Sequence, residues 1–99
     1  MKVLFLSFAQ QELDEAITWY NEQADGLGRE FLDELDRMIR RTIAFPTSCP
    51  EIEPELRRCL LPRFPYGLIY GLEGDTIVVV AVAHLHRKPR YWADRIGSD

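Results

Sequence analysis

The chain of 99 residues lacks several features that identify common protein classes. Its longest uninterrupted apolar run is Ile77–Ala83, far below the roughly 20 residues that a membrane-spanning helix needs. It has no phosphate-binding glycine loop and no dinucleotide fingerprint. The apolar start, Met1 to Leu6, is too short for a secretory h-region. We therefore expect one cytoplasmic domain over residues 1–99, with no cofactor and no membrane association.

Cysteine and histidine are also scarce, at two residues each. Cys49 and Cys59 fit no C-x-x-C motif, and a cytoplasmic location favours reduced thiols. His84 and His86 have a His-x-His spacing that can bind zinc, but nothing in the sequence places a cysteine or an acidic ligand beside them. Cys59 falls in a predicted strand, where a core position is more common than a nucleophilic role. We expect two free thiols and no metal.

The net charge of −4 is unevenly distributed along the chain. Residues 1–55 contain five basic and twelve acidic residues, a net charge of −7. Residues 56–99 contain seven basic and four acidic residues, a net charge of +3. This asymmetry indicates an acidic helical layer and a basic surface elsewhere, although a solvated acidic helix pair explains it as well.

Apolar spacing predicts the element order β-α-α-β-β-β, followed by a short terminal helix. Residues 3–6 are apolar on both faces, which predicts a covered first strand. Ser7 and Gln10 have the spacing of a capping box at the start of the first helix, and Asp25-Gly26 ends that helix. A stiff, proline-containing connection is predicted at 46–54. The later elements are predicted at Leu27–Phe45, Glu55–Leu61, Gly67–Leu72, Thr76–Leu85 and Pro89–Ile96.

The two predicted helices are amphipathic and are joined by a tight turn, so they form an antiparallel hairpin. Packing this hairpin on one face of a small, mainly antiparallel sheet buries the apolar side of both layers. The apolar run of the last strand, Ile77–Val82, predicts an interior position in that sheet. The expected fold class is α+β.

Basic and aromatic side chains gather around the end of the last predicted strand. Alternation along that strand directs His84 and His86 to the same face. Arginines beside histidine and tyrosine can hold phosphates and stack on bases. Alternatively, charge keeps an edge strand and tail soluble while aromatic residues pack the tail down. The residues in question are Arg57, Arg58, Arg63, His84, His86, Arg87, Lys88, Arg90, Tyr91, Trp92 and Arg95.

Two stretches are the most specific of the chain. One reads F-P-Y-x-x-x-Y over residues 64–70, and the other reads A-V-x-H-x-x-R-x-P-x-Y-W over residues 81–92. In order and spacing, over residues 3–95, the sequence resembles the RelE/ParE superfamily of type II toxin–antitoxin toxins. The resemblance implies a growth-arresting toxin with the β-α-α-β-β-β fold, held inactive by a cognate antitoxin and able to form oligomers through it.

This resemblance leaves two possible targets. One branch of the superfamily cleaves messenger RNA in the ribosome, and the other poisons DNA gyrase. For the nuclease branch, the resemblance makes Arg63, His84, Arg87 and Tyr91 the candidate catalytic residues.

The sequence departs from the nuclease branch at Cys59, Leu61 and Gly67, where RNA-cleaving relatives often carry basic residues. Without a general base and without lysines on the phosphate, attack by a 2′-OH loses stabilisation, although His84 could substitute as acid or base. We therefore expect a gyrase-directed toxin. The alternatives are a ribosome-dependent mRNA endonuclease, the only enzyme among these functions, and a decayed toxin that only binds its antitoxin.

The resemblance also suggests where partners bind. Trp19, Leu60 and Phe64 are the candidate anchors for the antitoxin, since aromatic residues dominate interface energetics, although Trp19 could equally belong to the core. Arg87 is expected to join Arg63 in a basic cluster that contacts the target. A structural arginine, paired with a carboxylate such as that of Asp94, is the alternative.

Overall fold

Two helices form an antiparallel hairpin in the computed structural model, which describes residues 1–96. Helix α1 spans Ser7–Gln23 and helix α2 spans Leu27–Ala44, close to the predicted bounds. Gly26 between them has φ +82°, a left-handed conformation that glycine adopts without strain. None of the helices within residues 1–96 is long and apolar enough to cross a membrane.

The predicted capping box at the start of α1 is wrong. Leu6 is the N-cap residue, Ser7 is already helical, and no side chain caps this helix end. The Leu6 backbone N–H bonds to the Val79 carbonyl of the sheet, and the helix begins at the next residue, one position earlier than the motif requires.

The strands are β1 (Lys2–Phe5), β2 (Glu51–Glu53), β3 (Leu56–Leu60), β4 (Tyr66–Glu73) and β5 (Thr76–His84). The helical hairpin packs on one face of the five-stranded sheet that they form, in the order β1-β5-β4-β3-β2. Strand β1 runs parallel to β5, and the other neighbours are antiparallel, which confirms the α+β fold. The connection at 46–54 contains a short strand that proline spacing did not predict.

Strand β5 lies inside the sheet as predicted, whereas β1 does not. β1 forms an edge, and Leu4 is 54% exposed on it. The prediction of a covered first strand failed because parallel pairing with β5 protects only one edge of this strand, and the helices cover only one face.

The helix-facing core is built around a cluster of aromatic rings. Tyr20, Phe31 and Phe64 lie 4.9 to 5.3 Å from one another between ring centroids. The two helices meet closely at Gly28, where an added Cβ would lie 2.5 Å from the Ile17 carbonyl oxygen. A side chain at this position would therefore push the helices apart.

The C-terminal tail, residues 85–96, covers the opposite face of the sheet. Trp92 is buried there against a second apolar cluster. The predicted helix at Pro89–Ile96 is reduced to a 3₁₀ turn at Ala93–Arg95. Arg90 has φ +57°, which interrupts a right-handed helix, and this conformation accompanies a bond from the Arg90 guanidinium to Glu53. The residues that Trp92 joins are Leu56, Ile69, Val80, Ala81 and Ala83.

A β-bulge divides β5 into two halves. Ile69 pairs with Ala81 and Tyr70 pairs with Val79, so Val80 has no partner of its own on β4. The bulge also changes which side chains face the helices, since Val79 and Val82 lie in the helix-facing core while Val80 belongs to the tail-facing cluster.

The prediction of two free thiols is wrong, because Cys49 and Cys59 form a disulfide. Antiparallel pairing of Glu51 with Arg57 places Cys49 opposite Cys59, and their Cα atoms are 5.5 Å apart. The bond fastens the segment between α2 and β2 to a core strand, because Cys59 is buried against the Thr42 hydroxyl of α2.

Reduction of this disulfide should destabilise the fold measurably. The bond joins residues ten positions apart, and a loop of that size restricts the unfolded chain enough to contribute about 2 to 3 kcal/mol. Urea unfolding with and without dithiothreitol measures this difference. The double variant Cys49→Ser/Cys59→Ser is the control and should not respond to the reductant. Equal unfolding midpoints for the untreated and reduced chain would contradict the prediction.

Candidate functional site

One partly buried carboxylate connects α1, the β5 bulge and the tail. Glu12 Oε1 accepts hydrogen bonds from the Val82 backbone N–H at 3.1 Å and from Arg95 Nη1 at 2.7 Å. Glu12 Oε2 accepts from the Tyr91 hydroxyl and from Arg95 Nη2. Arg95 Nη1 also donates to the Val80 carbonyl at 3.1 Å. We call this set, Glu12 with Tyr91, Arg95, Val80 and Val82, the Glu12 network.

The Glu12 network is largely shielded from water. The side chains of Glu12 and Arg95 are only 14% and 12% exposed. Burial, and then the hydrogen bond to Glu12, raise the pKa of the Tyr91 hydroxyl, so it stays protonated. Sequence analysis missed the role of Glu12, because a glutamate on an acidic helix has the pattern of a solvated residue.

Arg87 is held by an aromatic ring. Its guanidinium carbon lies 4.0 Å from the centroid of the Tyr91 ring, a cation–π contact that contributes about 0.5–1 kcal/mol at exposed sites. Seven ion pairs are found among residues 1–96, and Arg87 takes part in none of them. Arg87 lines a pocket of about 360 Å³ with Leu6, Ser7, Phe8, Tyr91, Asp94 and Arg95.

His84 and His86 lie side by side, as alternation predicted. β5 ends at His84, and the two rings are 4.9 Å apart. Nδ1 of His84 accepts the His86 backbone N–H at 3.1 Å, so in the neutral ring the proton is on Nε2. Burial, followed by the nearby His86 and Arg87, lowers the pKa of His84. The ring therefore presents a neutral N–H donor at neutral pH.

Three of the other predicted arginines, Arg57, Arg63 and Arg90, are paired within the fold, whereas Arg58 takes part in none of the ion pairs among residues 1–96. Arg63 Nη2 donates to Glu30 at 2.7 Å, and the Arg63 backbone N–H donates to the buried Glu34 at 2.9 Å. Arg63 is thus directed at α2 and does not form the expected cluster with Arg87. Similarly, Arg57 bonds to Glu51 and to the carbonyls of Thr47 and Cys49, and Arg90 bonds to Glu53.

The three candidate anchors differ in accessibility. Trp19 is 55% exposed and Leu60 is 51% exposed, so both are available to a partner. Phe64 is only 7% exposed and packs edge-on against Tyr20 and Phe31, so its assignment as an anchor is corrected to a core position. Trp19 lines a groove of about 230 Å³ with Glu12, Glu15, Ala16, Tyr66, Val82, His84 and Arg87.

The positions that depart from the nuclease branch are all buried. Cys59 is in the disulfide, Leu61 is in the helix-facing core, and an added Cβ at Gly67 would lie 3.1 Å from the Arg58 side chain. Within the part of the chain that the structure describes, no group of three or more His, Cys, Asp or Glu side chains is placed to hold a metal ion.

Comparison with known proteins identifies the family. A family model described as the ParE toxin of the type II toxin–antitoxin system parDE matches residues 3–89. The chain belongs to the ParE toxin family. No curated protein sequence matches it significantly. Among solved structures, a chain of the chromosomal ParDE toxin–antitoxin system from P. aeruginosa matches with a TM-score of 0.75 and 14% identity, over 87% of this chain and 97% of that chain.

The family match makes this chain a type II toxin and supports a cognate antitoxin as its partner. The structural match, at 14% identity, shows that the fold is shared. His84 and Arg87 lie inside the matched residues 3–89, whereas Tyr91 and Arg95 lie outside them. The contacts of Tyr91 and Arg95 with Glu12 thus involve residues beyond the family match, and only the structure shows them.

Proposed function

We propose that this ParE-family toxin arrests growth by acting on DNA gyrase and does not cleave RNA. The observation that carries the proposal is that none of the four candidate catalytic residues presents a free base that could take up the proton of a 2′-OH. His84 uses Nδ1 to accept a backbone N–H and carries its proton on Nε2. The Tyr91 hydroxyl donates to Glu12, and its pKa is raised. Arg63 and Arg87 are cations without acceptor atoms.

The same geometry supports a binding role for Arg87. Because its guanidinium rests on the Tyr91 ring, the side chain is oriented while its N–H groups stay available to a carboxylate or phosphate of the target. A nuclease would need several cations near the phosphate, and Arg57, Arg63 and Arg90 are paired with Glu51, Glu30 and Glu53. Arg58 takes part in none of the ion pairs among residues 1–96 and lines a pocket with His84 and Arg87, but no aromatic ring is found to orient it as Tyr91 orients Arg87. Arg87 is thus the main candidate for contact with the target.

We further infer that the antitoxin covers the groove at Trp19 and also contacts the exposed Leu60. The indole lies at the rim of the groove that also contains His84 and Arg87, so a helix or an extended segment docked there would cover the target-binding side chains. Neutralisation would then follow from direct occlusion of Arg87.

Induction in cells without the antitoxin separates the possible targets. A gyrase-directed toxin should arrest growth and induce DNA-damage signalling, while messenger RNAs remain uncut at early times. The Arg87→Ala variant, expressed to the same level, is the matched control for effects of protein overexpression on growth. Codon-specific cleavage of translated messages without a DNA-damage response would establish the nuclease alternative. Absence of any growth arrest would favour a decayed toxin.

A further inference from the structure

The Tyr91 hydroxyl, on the ring that carries Arg87, donates to the Glu12 carboxylate, and none of the ion pairs among residues 1–96 joins Glu12 to Arg87. We propose that Glu12 is a positioning residue for Arg87 and acts through Tyr91 and Arg95. Glu12 binds the Tyr91 hydroxyl and both Nη atoms of Arg95, and the Tyr91 ring lies under the Arg87 guanidinium. This inference rests on the proposed role of Arg87 in contacting the target.

The place of the Glu12 network in the sheet explains how it holds the tail. The Leu6 N–H bonds to the Val79 carbonyl where β1 ends, so β5 has no further strand on that side. Beyond this point the Val80 carbonyl accepts from Arg95 and the Val82 N–H donates to Glu12. Two side chains therefore take the place of a neighbouring strand, and one of them, Arg95, belongs to the tail.

The charge of Glu12 matters as well as its hydrogen bonds. Both Arg87 and Arg95 lie near the Tyr91 ring, at 4.0 and 5.2 Å from its centroid. The negative charge of Glu12 offsets that of Arg95, so Arg87 can contact the same ring without an uncompensated positive charge beside it. Without that charge, Arg95 is a nearly buried cation lacking its partner, and it repels Arg87.

The tail has a separate attachment that does not involve Glu12. Trp92 is 4% exposed in the cluster against Leu56, Ile69 and Ala83, and Arg90 is bonded to Glu53. Loss of the Glu12 network should therefore disturb Tyr91 and Arg87 locally while Trp92 keeps the tail on the sheet. A positioning role is then distinguishable from a general role in stability.

Glu12→Gln in the full chain tests the proposal, because it keeps the side-chain shape and removes the charge. The control is Glu34→Gln, which alters another nearly buried carboxylate that also binds an arginine and a backbone N–H, but far from the tail. The measurements are growth arrest on induction, melting temperature, and the upfield NMR shift that the Tyr91 ring imposes on the Arg87 side-chain protons.

We expect Glu12→Gln to abolish the Arg87 shift and to weaken growth arrest about ten-fold, which is a typical coupling between residues that share an interaction partner. Glu34→Gln should lower the melting temperature while keeping both the shift and the growth arrest. In an Arg87→Ala background, Glu12→Gln should cause no further loss of growth arrest. If Glu12→Gln does not fold, Tyr91→Leu decides, since it removes the ring and leaves the Glu12–Arg95 pair.

Retained growth arrest in Glu12→Gln would overturn the proposal. So would a loss of growth arrest in both Glu12→Gln and Glu34→Gln that is proportional to the fall in melting temperature. Retained growth arrest in Tyr91→Leu would do the same. The growth-arrest measurement does not depend on which target the toxin binds. If the unmodified chain fails to inhibit gyrase but the variants behave as expected, the proposed target is wrong and the positioning role of Glu12 stands.

Discussion

Arg87→Ala should reduce growth inhibition on the order of a hundred-fold, since removing one partner of a charged contact leaves the other partner unpaired in the complex. Arg87→Lys should retain part of the activity, because a lysine keeps the positive charge but lacks the planar, bidentate donor geometry and stacks less well on the Tyr91 ring. Viable counts after induction of each variant at equal protein level measure both effects.

The neighbouring cation supplies the control for this prediction. Lys88→Ala removes the same charge from the next residue, which is exposed, and should change growth inhibition little. Melting temperatures of all three variants should stay close to that of the unmodified chain, because the Arg87 side chain lies on the surface. Unchanged growth inhibition in Arg87→Ala, or an equal loss in Lys88→Ala, would show that Arg87 has no specific contact with the target.

Trp19→Ala should weaken antitoxin binding on the order of a hundred-fold, as expected for an aromatic anchor at a protein interface. The indole is 55% exposed in the free toxin, so its removal should barely alter the melting temperature. Calorimetric titration with the cognate antitoxin measures the affinity. Leu60→Ala should show a smaller loss in the same experiment.

Phe8→Ala is the matched control for Trp19→Ala, since Phe8 is an equally exposed aromatic residue on the same helix but faces the tail pocket. We expect its affinity for the antitoxin to be nearly unchanged. A large fall in melting temperature for Trp19→Ala would instead assign the indole to the core. Equal affinities of the two variants would place the antitoxin elsewhere on the surface.

The helical hairpin and the interior position of β5 could be predicted because they depend on local periodicity. The spacing of Leu13, Ala16 and Tyr20 predicts the buried face of α1, and the apolar run after Thr76 predicts an interior strand. The predictions were wrong where contacts with residues distant in the sequence determine the local conformation. The tail failed to form the predicted helix because Arg90 and Trp92 are held by residues from β2, β3, β4 and β5.

The functional site was predictable only in part, for the same reason. The spacing of His84 and Arg87 predicts that both lie at the end of a strand, and both line the groove at Trp19. Glu12 contacts Arg95 across 83 positions of sequence, and no local pattern distinguishes it from the solvated glutamates around it. The disulfide likewise depended on the pairing of β2 with β3, and the sequence did not predict β2.

A supercoiling assay with purified DNA gyrase tests the proposed target most directly. The purified toxin, incubated with gyrase, ATP and relaxed plasmid, should inhibit supercoiling in proportion to its concentration, and equimolar antitoxin should restore it. Arg87→Ala should fail to inhibit at the same concentrations, and Lys88→Ala should inhibit like the unmodified chain. Full supercoiling in the presence of folded toxin that still arrests growth in cells would contradict a gyrase-directed function.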